Sequence, residues 1–188
     1  MRQAQTLNEA QLRSVIKYCR SRRHQVRDET IILTSFYAGL RAKEIAALTV
    51  GNVFDEEGNV RSQFILSAAQ SKGGQTRTVY LNQHFRKALL EYSACIRITD
   101  PQRPLFVSQK GGHFSANTMC QLFLDIYKAV GLKDASSHSG RRIYITRLAN
   151  KGVGVRLLAE LAGHSHISTT QRYIDVNAEQ LSEAVELL

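Results

Sequence analysis

The sequence has no tryptophan and only two prolines, two methionines and three cysteines in 188 residues. Each scarcity closes off a class of protein. The cysteines, Cys19, Cys95 and Cys120, are odd in number and form no C-x-x-C pair, which argues against a disulfide framework and against a cysteine zinc site. A reducing cytoplasm suits them. Both prolines, Pro101 and Pro104, fall in one loop, which is too short to separate two domains. No apolar run is long enough to cross a bilayer, and the N-terminus lacks a signal-peptide pattern. The expected setting is therefore cytoplasmic, with no membrane partner. Acids are also in deficit: 16 Asp and Glu against 25 Lys and Arg leave a net charge of +9. That balance suits a polyanionic partner, although an ordinary basic surface produces it as readily. The bases are clustered. Lys17, Arg20, Arg22, Arg23 and Arg27 form one group, and Arg141, Arg142, Arg147, Lys151 and Arg156 another, while only acids follow Arg172.

With 43% hydrophobic residues, the chain can bury a core, and its length favours one domain over residues 1–188. Thr6 with Glu9 reads as a capping box for a helix whose stripe is Leu12, Val15, Ile16 and Cys19. A more continuously apolar helix is expected from Glu29 to Ala38, stopped by Gly39. Arg41 then opens another helix, where free backbone N–H groups already favour an anion, and Glu44 lies one turn on. Residues 52–81 alternate with β-branched residues, predicting a three-stranded antiparallel sheet from Val53-Phe54, Val60 to Leu66 and Gln75 to Leu81. Lys72 sits beside two glycines in the second turn. The first turn carries Asp55, Glu56 and Glu57, which read as solvated acids, so no metal is expected. Asn82 starts a helix with Phe85, Leu89 and Tyr92 inward, and a later helix carries Met119, Leu122, Phe123, Ile126 and Val130 on one face and ends at Gly131. His113, alone in a turn, reads as structural. The fold class expected is α+β and mostly α-helical.

Residues 138–176 concentrate the reactive groups. Ser136 or Ser137 can cap a helix running to about Lys151, with Arg141, Ile145 and Leu148 on its inner face. A second helix, with Val155, Leu158 and Ala162 on one face, ends at Gly163 and leaves His164 at a turn. Ser168 with Gln171 reads as a capping box that would put Tyr173 in the second turn of a third helix. Arginine offers a planar fork to phosphate oxygens, histidines move protons near neutral pH, and a tyrosine oxygen can attack phosphorus. A tyrosine phenol in water is a phenolate only about once in a thousand molecules at pH 7, a deficit of about 4 kcal/mol, so a proton acceptor must assist. His138 is the candidate for that proton, and His164 for a donor to the phosphate. Arg41 and Arg141 would clamp the non-bridging oxygens, supplying charge that other phosphoryl-transfer enzymes take from magnesium. Glu44 would orient them.

HSGR at 138–141, LAGH at 161–164, Tyr173, GLRAKE at 39–44 and Lys72 together resemble the tyrosine site-specific recombinases, the phage integrases and their relatives. That family pairs H-x-x-R, L-x-G-H and a nucleophilic tyrosine with an earlier G-L-R-x-x-E and a β-turn lysine. The likeness covers nearly the whole chain. One departure is Gly140, where leucine is common, and it is expected to loosen local packing without removing a reactive group. The resemblance implies the tyrosine recombinase catalytic fold and a covalent 3′-phosphotyrosine intermediate on double-stranded DNA, with no cofactor, and it is what promotes Lys72, otherwise an unremarkable exposed lysine, to the general acid for the leaving 5′ oxygen. It also implies a bacterial or phage-encoded, nucleoid-associated protein whose N-terminal core-binding clamp domain is absent here. By the same likeness, a C-terminal helix with Leu181, Val185 and Leu188 on one face docks on a neighbour in a tetramer on DNA. Two other readings remain open. The helices joined by KGVG at 151–154 could form a non-enzymatic helix-turn-helix module, and a type IB topoisomerase-like enzyme would use the same chemistry to relax DNA.

Overall fold

The structure, a computed structural model, describes residues 5–71, 74–174, 181–182 and 185–186. The chain divides into two compact units, Met1–Tyr144 and Ile145–Leu188. In the first, α1 (Glu9–Arg20) is capped by Asn8, whose Oδ1 accepts from the Gln11 N–H at 2.9 Å while Gln11 Oε1 accepts from the Asn8 N–H at 3.0 Å. The helix thus starts later than the expected Thr6–Glu9 box, because Asn8 closes the reciprocal pair with Gln11. Its buried face is Leu12, Val15 and Cys19. Burial pushes the Cys19 thiol up to about 12, which makes it a core residue and not a nucleophile.

Helix α2 (Gln25–Ala38) begins a full turn before the expected Glu29. That first turn is polar in sequence but is held by ion pairs. Buried Asp28 accepts from Arg22 Nε and from Arg27 Nη2, each at 2.7 Å, and a carboxylate there also suits the helix dipole. Part of the N-terminal basic cluster is therefore neutralised internally, and Arg20 likewise pairs with Glu29 at 2.7 Å. After α2 come α3 (Ala42–Ala46) and α4 (Val50–Val53).

The sheet has two described strands, β1 (Gln63–Leu66) and β2 (Arg77–Tyr80), antiparallel with Phe64 opposite Val79 and Leu66 opposite Arg77. The expected third strand does not form. Its residue Val53 ends α4, where Asn52 Oδ1 accepts from the Thr49 N–H at 2.9 Å, and only Phe54 meets Val60 in an isolated bridge. Helices α5 (Gln83–Ser93) and α6 (Ala116–Ala129) are capped by Asn82 and Ser115. Phe64, Leu66 and Val79 join Phe85, Leu89, Phe123 and Ile126 in one core. Helix α7 (Ser139–Asn150) spans the boundary between the units. The second unit contains α8 (Val155–Ala162), stopped by left-handed Gly163, and α9 (Ile167–Gln171), which packs on it.

Gly140 does the opposite of loosening the packing. A Cβ there would lie 2.4 Å from Ser35 Oγ, 2.8 Å from Ser35 Cβ and 3.0 Å from Phe36 Cδ2. The missing side chain lets the start of α7 press directly against α2. Gly140→Leu, which installs the residue common in the resembled family, is therefore expected to destabilise the chain by about 3 kcal/mol in urea melts through overpacking. Ser35→Gly in the same chain should restore part of the loss. A Gly140→Leu protein as stable as the parent would contradict this packing.

Candidate active site

The site in the first unit begins with backbone. Gly39 caps α2 at φ 62°, the left-handed region that favours glycine. A Cβ on it would stand 2.5 Å from the Tyr144 ring. Its carbonyl accepts from Arg141 Nη1 at 2.6 Å, and Arg141 is buried. The inward orientation expected for Arg141 is thus observed, with a carbonyl as one partner.

Two residues on, Arg41 is the N-cap of α3, and Glu44 turns back onto it. Glu44 Oε2 accepts from the Arg41 backbone N–H at 2.9 Å, and Oε1 accepts from Arg41 Nη1 at 2.9 Å. Arg77, the first residue of β2, donates from Nη2 to the same Oε2 at 3.1 Å. Glu44 is wholly buried, while the Arg41 side chain keeps 19% of its surface exposed. Burial alone would raise the Glu44 carboxyl, but Arg77, the Arg41 N–H and charge, and Arg141 outweigh it and hold it below the ordinary carboxylate range. One carboxylate therefore lies in the field of three arginines. The surplus is positive, as a site for a phosphate requires.

Sequence reasoning passed over Arg77. The available signal was strand parity, because Arg77 shares its face of β2 with buried Val79. His138 is exposed at the entrance to α7, its N–H on Ser136 Oγ at 3.3 Å and its carbonyl accepting from the Arg142 N–H at 2.9 Å. Lys72 lies outside the described residues. Of the acids of the first turn, Asp55 holds its own loop, its Oδ1 accepting from the Asn59 N–H at 2.7 Å. His113 caps no chemistry either, since its Nδ1 lies 3.2 Å from the Ala46 carbonyl.

In the second unit, His164 follows Gly163 as expected. Its Nδ1 lies 2.8 Å from the hydroxyl of fully buried Thr170. Its ring stacks on Tyr173 with centroids 5.9 Å apart and planes 20° from parallel. The Ser168–Gln171 capping box does not hold the third helix. His166 is the N-cap of α9, without a side-chain hydrogen bond, and the helix ends at Gln171. Tyr173 consequently sits in a turn beyond α9, its N–H donating to the Thr170 carbonyl at 2.9 Å and its own carbonyl accepting from Thr146 Oγ1 at 3.4 Å. A turn held by a buried threonine fixes the tyrosine backbone, and the histidine face fixes its ring.

The Glu44 centre carries a stability signature. Because its folded carboxyl titrates below the unfolded one, the stabilisation is complete above the unfolded value, roughly pH 4.3, and is lost as pH falls through the folded value. Glu44→Gln should cost about 3 kcal/mol at pH 7, since it leaves buried arginine charge without its counter-ion, and the remaining stability should fall less steeply between pH 5 and 3 in chemical melts.

Comparison with known proteins places these features in context. The model of the phage integrase family matches residues 5–180. Tyrosine recombinase XerA of Pyrococcus furiosus is 30% identical over 165 residues, covering 86% of this chain and 54% of the relative. Tyrosine recombinase XerC of Pelobacter propionicus is 26% identical over 162 residues, covering 86% and 51%. The chain thus spans about half the length of the curated relatives it matches. Among solved structures, a XerA recombinase superposes with a TM-score of 0.77 at 24% identity, covering 100% of this chain and 66% of that one. The Tn1549 transposon integrase, in complex with a circular intermediate DNA, gives 0.81 at 21% identity, covering 100% and 67%. These two likenesses concern the fold: the helical fold with its small antiparallel sheet is shared with the XerA recombinase and the transposon integrase. The chain belongs to the phage integrase family.

Proposed function

We propose that this chain is the catalytic part of a site-specific recombinase that cuts and rejoins double-stranded DNA through a phosphotyrosine. The observation that carries the reading is the Glu44 centre, where one buried carboxylate anchors Arg41 and Arg77 within the field of Arg141. A phosphodiester resists attack because its oxygens repel an incoming nucleophile, and fixed guanidinium groups relieve that repulsion. Tyr173 Oη forms the bond to phosphorus as the bond from phosphorus to the 5′ oxygen breaks. The phenol proton passes to His138, the departing oxygen takes a proton from Lys72, and His164 donates to the phosphate. The linkage left behind is a 3′-phosphotyrosine. A second 5′ hydroxyl reverses the same steps, so the bond is conserved and the strand resealed without an external energy source.

The relatives named above are tyrosine recombinases, and one solved neighbour is bound to DNA. Those facts support DNA as partner. The proposal extends to self-association into a tetramer on paired sites, the C-terminal segment docking on a neighbour. Leu181 and Val185 are 59% and 66% exposed, as a segment awaiting an apolar partner would be, whereas Leu188 lies outside the described residues. A cytoplasmic, nucleoid-associated location belongs to the same proposal. No described helix is long and apolar enough to cross a membrane. A helix-turn-helix module would leave the arginine centre without a task. A topoisomerase-like enzyme would use it, but would relax supercoils without joining two differently marked duplexes.

Nicked suicide duplexes are the direct test. The parent chain should form a covalent adduct, and Tyr173→Phe should reduce it on the order of 10³-fold or more while leaving DNA affinity nearly unchanged. Adduct surviving in Tyr173→Phe would exclude this nucleophile. Because arginine and lysine supply the charge, adduct formation is also expected to persist in EDTA. A reaction stopped by chelation and restored by magnesium would overturn the charge-clamp mechanism.

A further inference from the structure

The residue the sequence motifs leave out is Arg77. We propose that Arg77 is a positioning residue for DNA cleavage, holding the Glu44 carboxylate so that Glu44 can hold the Arg41 guanidinium toward the scissile phosphate. The inference rests on the functional reading above and adds a residue to it.

Glu44 contributes two oxygens, each with a defined task. Oε1 takes the Arg41 side chain. Oε2 takes the Arg41 backbone N–H, which fixes the start of α3, and also Arg77 Nη2. The Arg41 guanidinium thus has its aim set by an atom whose sister atom is held from the sheet. Arg77 comes from a different element, β2, where it pairs with Leu66 in the ladder, and Leu66 is wholly buried. A ladder position opposite a buried residue gives Arg77 a rigid base. Its side chain is only 8% exposed, so it is poorly placed to serve as a general surface contact for DNA.

Charge points the same way. The groups that face Glu44 are Arg41 at the head of its own helix, Arg77 from β2 and Arg141 from α7. Burial acts to neutralise the carboxyl, and Arg77 is the largest of the influences opposing it. Without Arg77, the buried carboxyl would take up a proton at a higher pH than in the parent. A protonated Glu44 can no longer bind Arg41 as an ion, and the guanidinium loses its fixed direction. Displacement of a catalytic group by about 1 Å can slow a reaction by about 10²-fold.

The test measures single-turnover adduct formation on a nicked duplex at saturating DNA, from pH 5.5 to 8, for the 188-residue chain and for Arg77→Gln and Arg77→Lys. Arg77→Gln keeps length and an N–H donor but removes the charge. Its rate is expected to fall about 10²-fold at pH 7, with DNA affinity within about threefold of the parent. The loss should deepen toward pH 5.5. Arg77→Lys, which restores the charge, should recover at least about tenfold of the loss.

An unchanged rate in Arg77→Gln would overturn the proposal. So would a loss confined to DNA affinity, which would make Arg77 a DNA contact, or a loss independent of pH and not recovered by lysine, which would make it purely structural. If Arg77→Gln melts below the assay temperature, Arg77→Met, which keeps the apolar stem and removes the charge, decides at a temperature where it is folded. An acidic limb displaced to higher pH than in the parent supports the assignment, and a superimposable profile overturns it. Failure of the parent chain itself to form an adduct would instead overturn the functional reading, and this inference with it.

Discussion

A carboxylate with no exposure to water is tolerable only when opposite charge and hydrogen-bond donors surround it, and Glu44 imposes that requirement on everything near it. Its two oxygens take a backbone N–H and two guanidinium groups. The start of α3, the first residue of β2 and the side chain of Arg41 are thereby tied to one point, with Arg141 close enough to act on its ionisation. The arrangement fixes more positive than negative charge in the protein, with Arg41 partly open to solvent. A phosphate entering there meets donors already in place, and little reorganisation remains for the moment of reaction.

The backbone around this point is set by two glycines. Gly39 supplies the left-handed turn that brings α2 to Arg41, and its carbonyl takes a hydrogen bond from Arg141. Gly140 removes a side chain where α7 meets Ser35 and Phe36. Arg141 follows Gly140 directly, so the close approach of the two helices also determines how Arg141 reaches the Gly39 carbonyl. The local sequence G-L-R and the remote sequence S-G-R are therefore linked by packing as much as by charge. In the second unit the same economy appears on a smaller scale. Buried Thr170 receives the His164 ring through its side chain and the Tyr173 N–H through its carbonyl.

Much of this was readable in the chain. The GLRAKE segment placed Arg41 at a helix start with Glu44 one turn on, and helical spacing turned Arg141 inward, because both depend on neighbours within a few residues. The stripes of α5 and α6 and the Asn82 cap were equally local. What escaped was decided by distant partners or by competition between two local patterns. Val53 and Phe54 have strand-like side chains, yet Asn52 closes a turn with Thr49 and takes Val53 into α4. Ser168 and Gln171 fit a capping box, but the chain enters α9 at Ile167, and Tyr173 falls beyond the helix. Gly140 reads as a gap until Ser35, more than a hundred positions earlier in the chain, is seen to fill it. Arg77 was passed over because its buried partner, Glu44, lies 33 positions away in the chain.

If the fixed arginines act by cancelling charge on the phosphate, a substrate that has lost that charge should need them less. The decisive measurement is adduct formation by Arg41→Ala on two nicked duplexes, one ordinary and one with a neutral methyl group replacing a non-bridging oxygen of the scissile phosphate. On ordinary DNA the variant should lose at least about 10²-fold relative to the parent, and on the neutral phosphate most of that deficit should disappear. An equal deficit on both substrates would contradict the account, because Arg41 would then be serving something other than the charge of the phosphate.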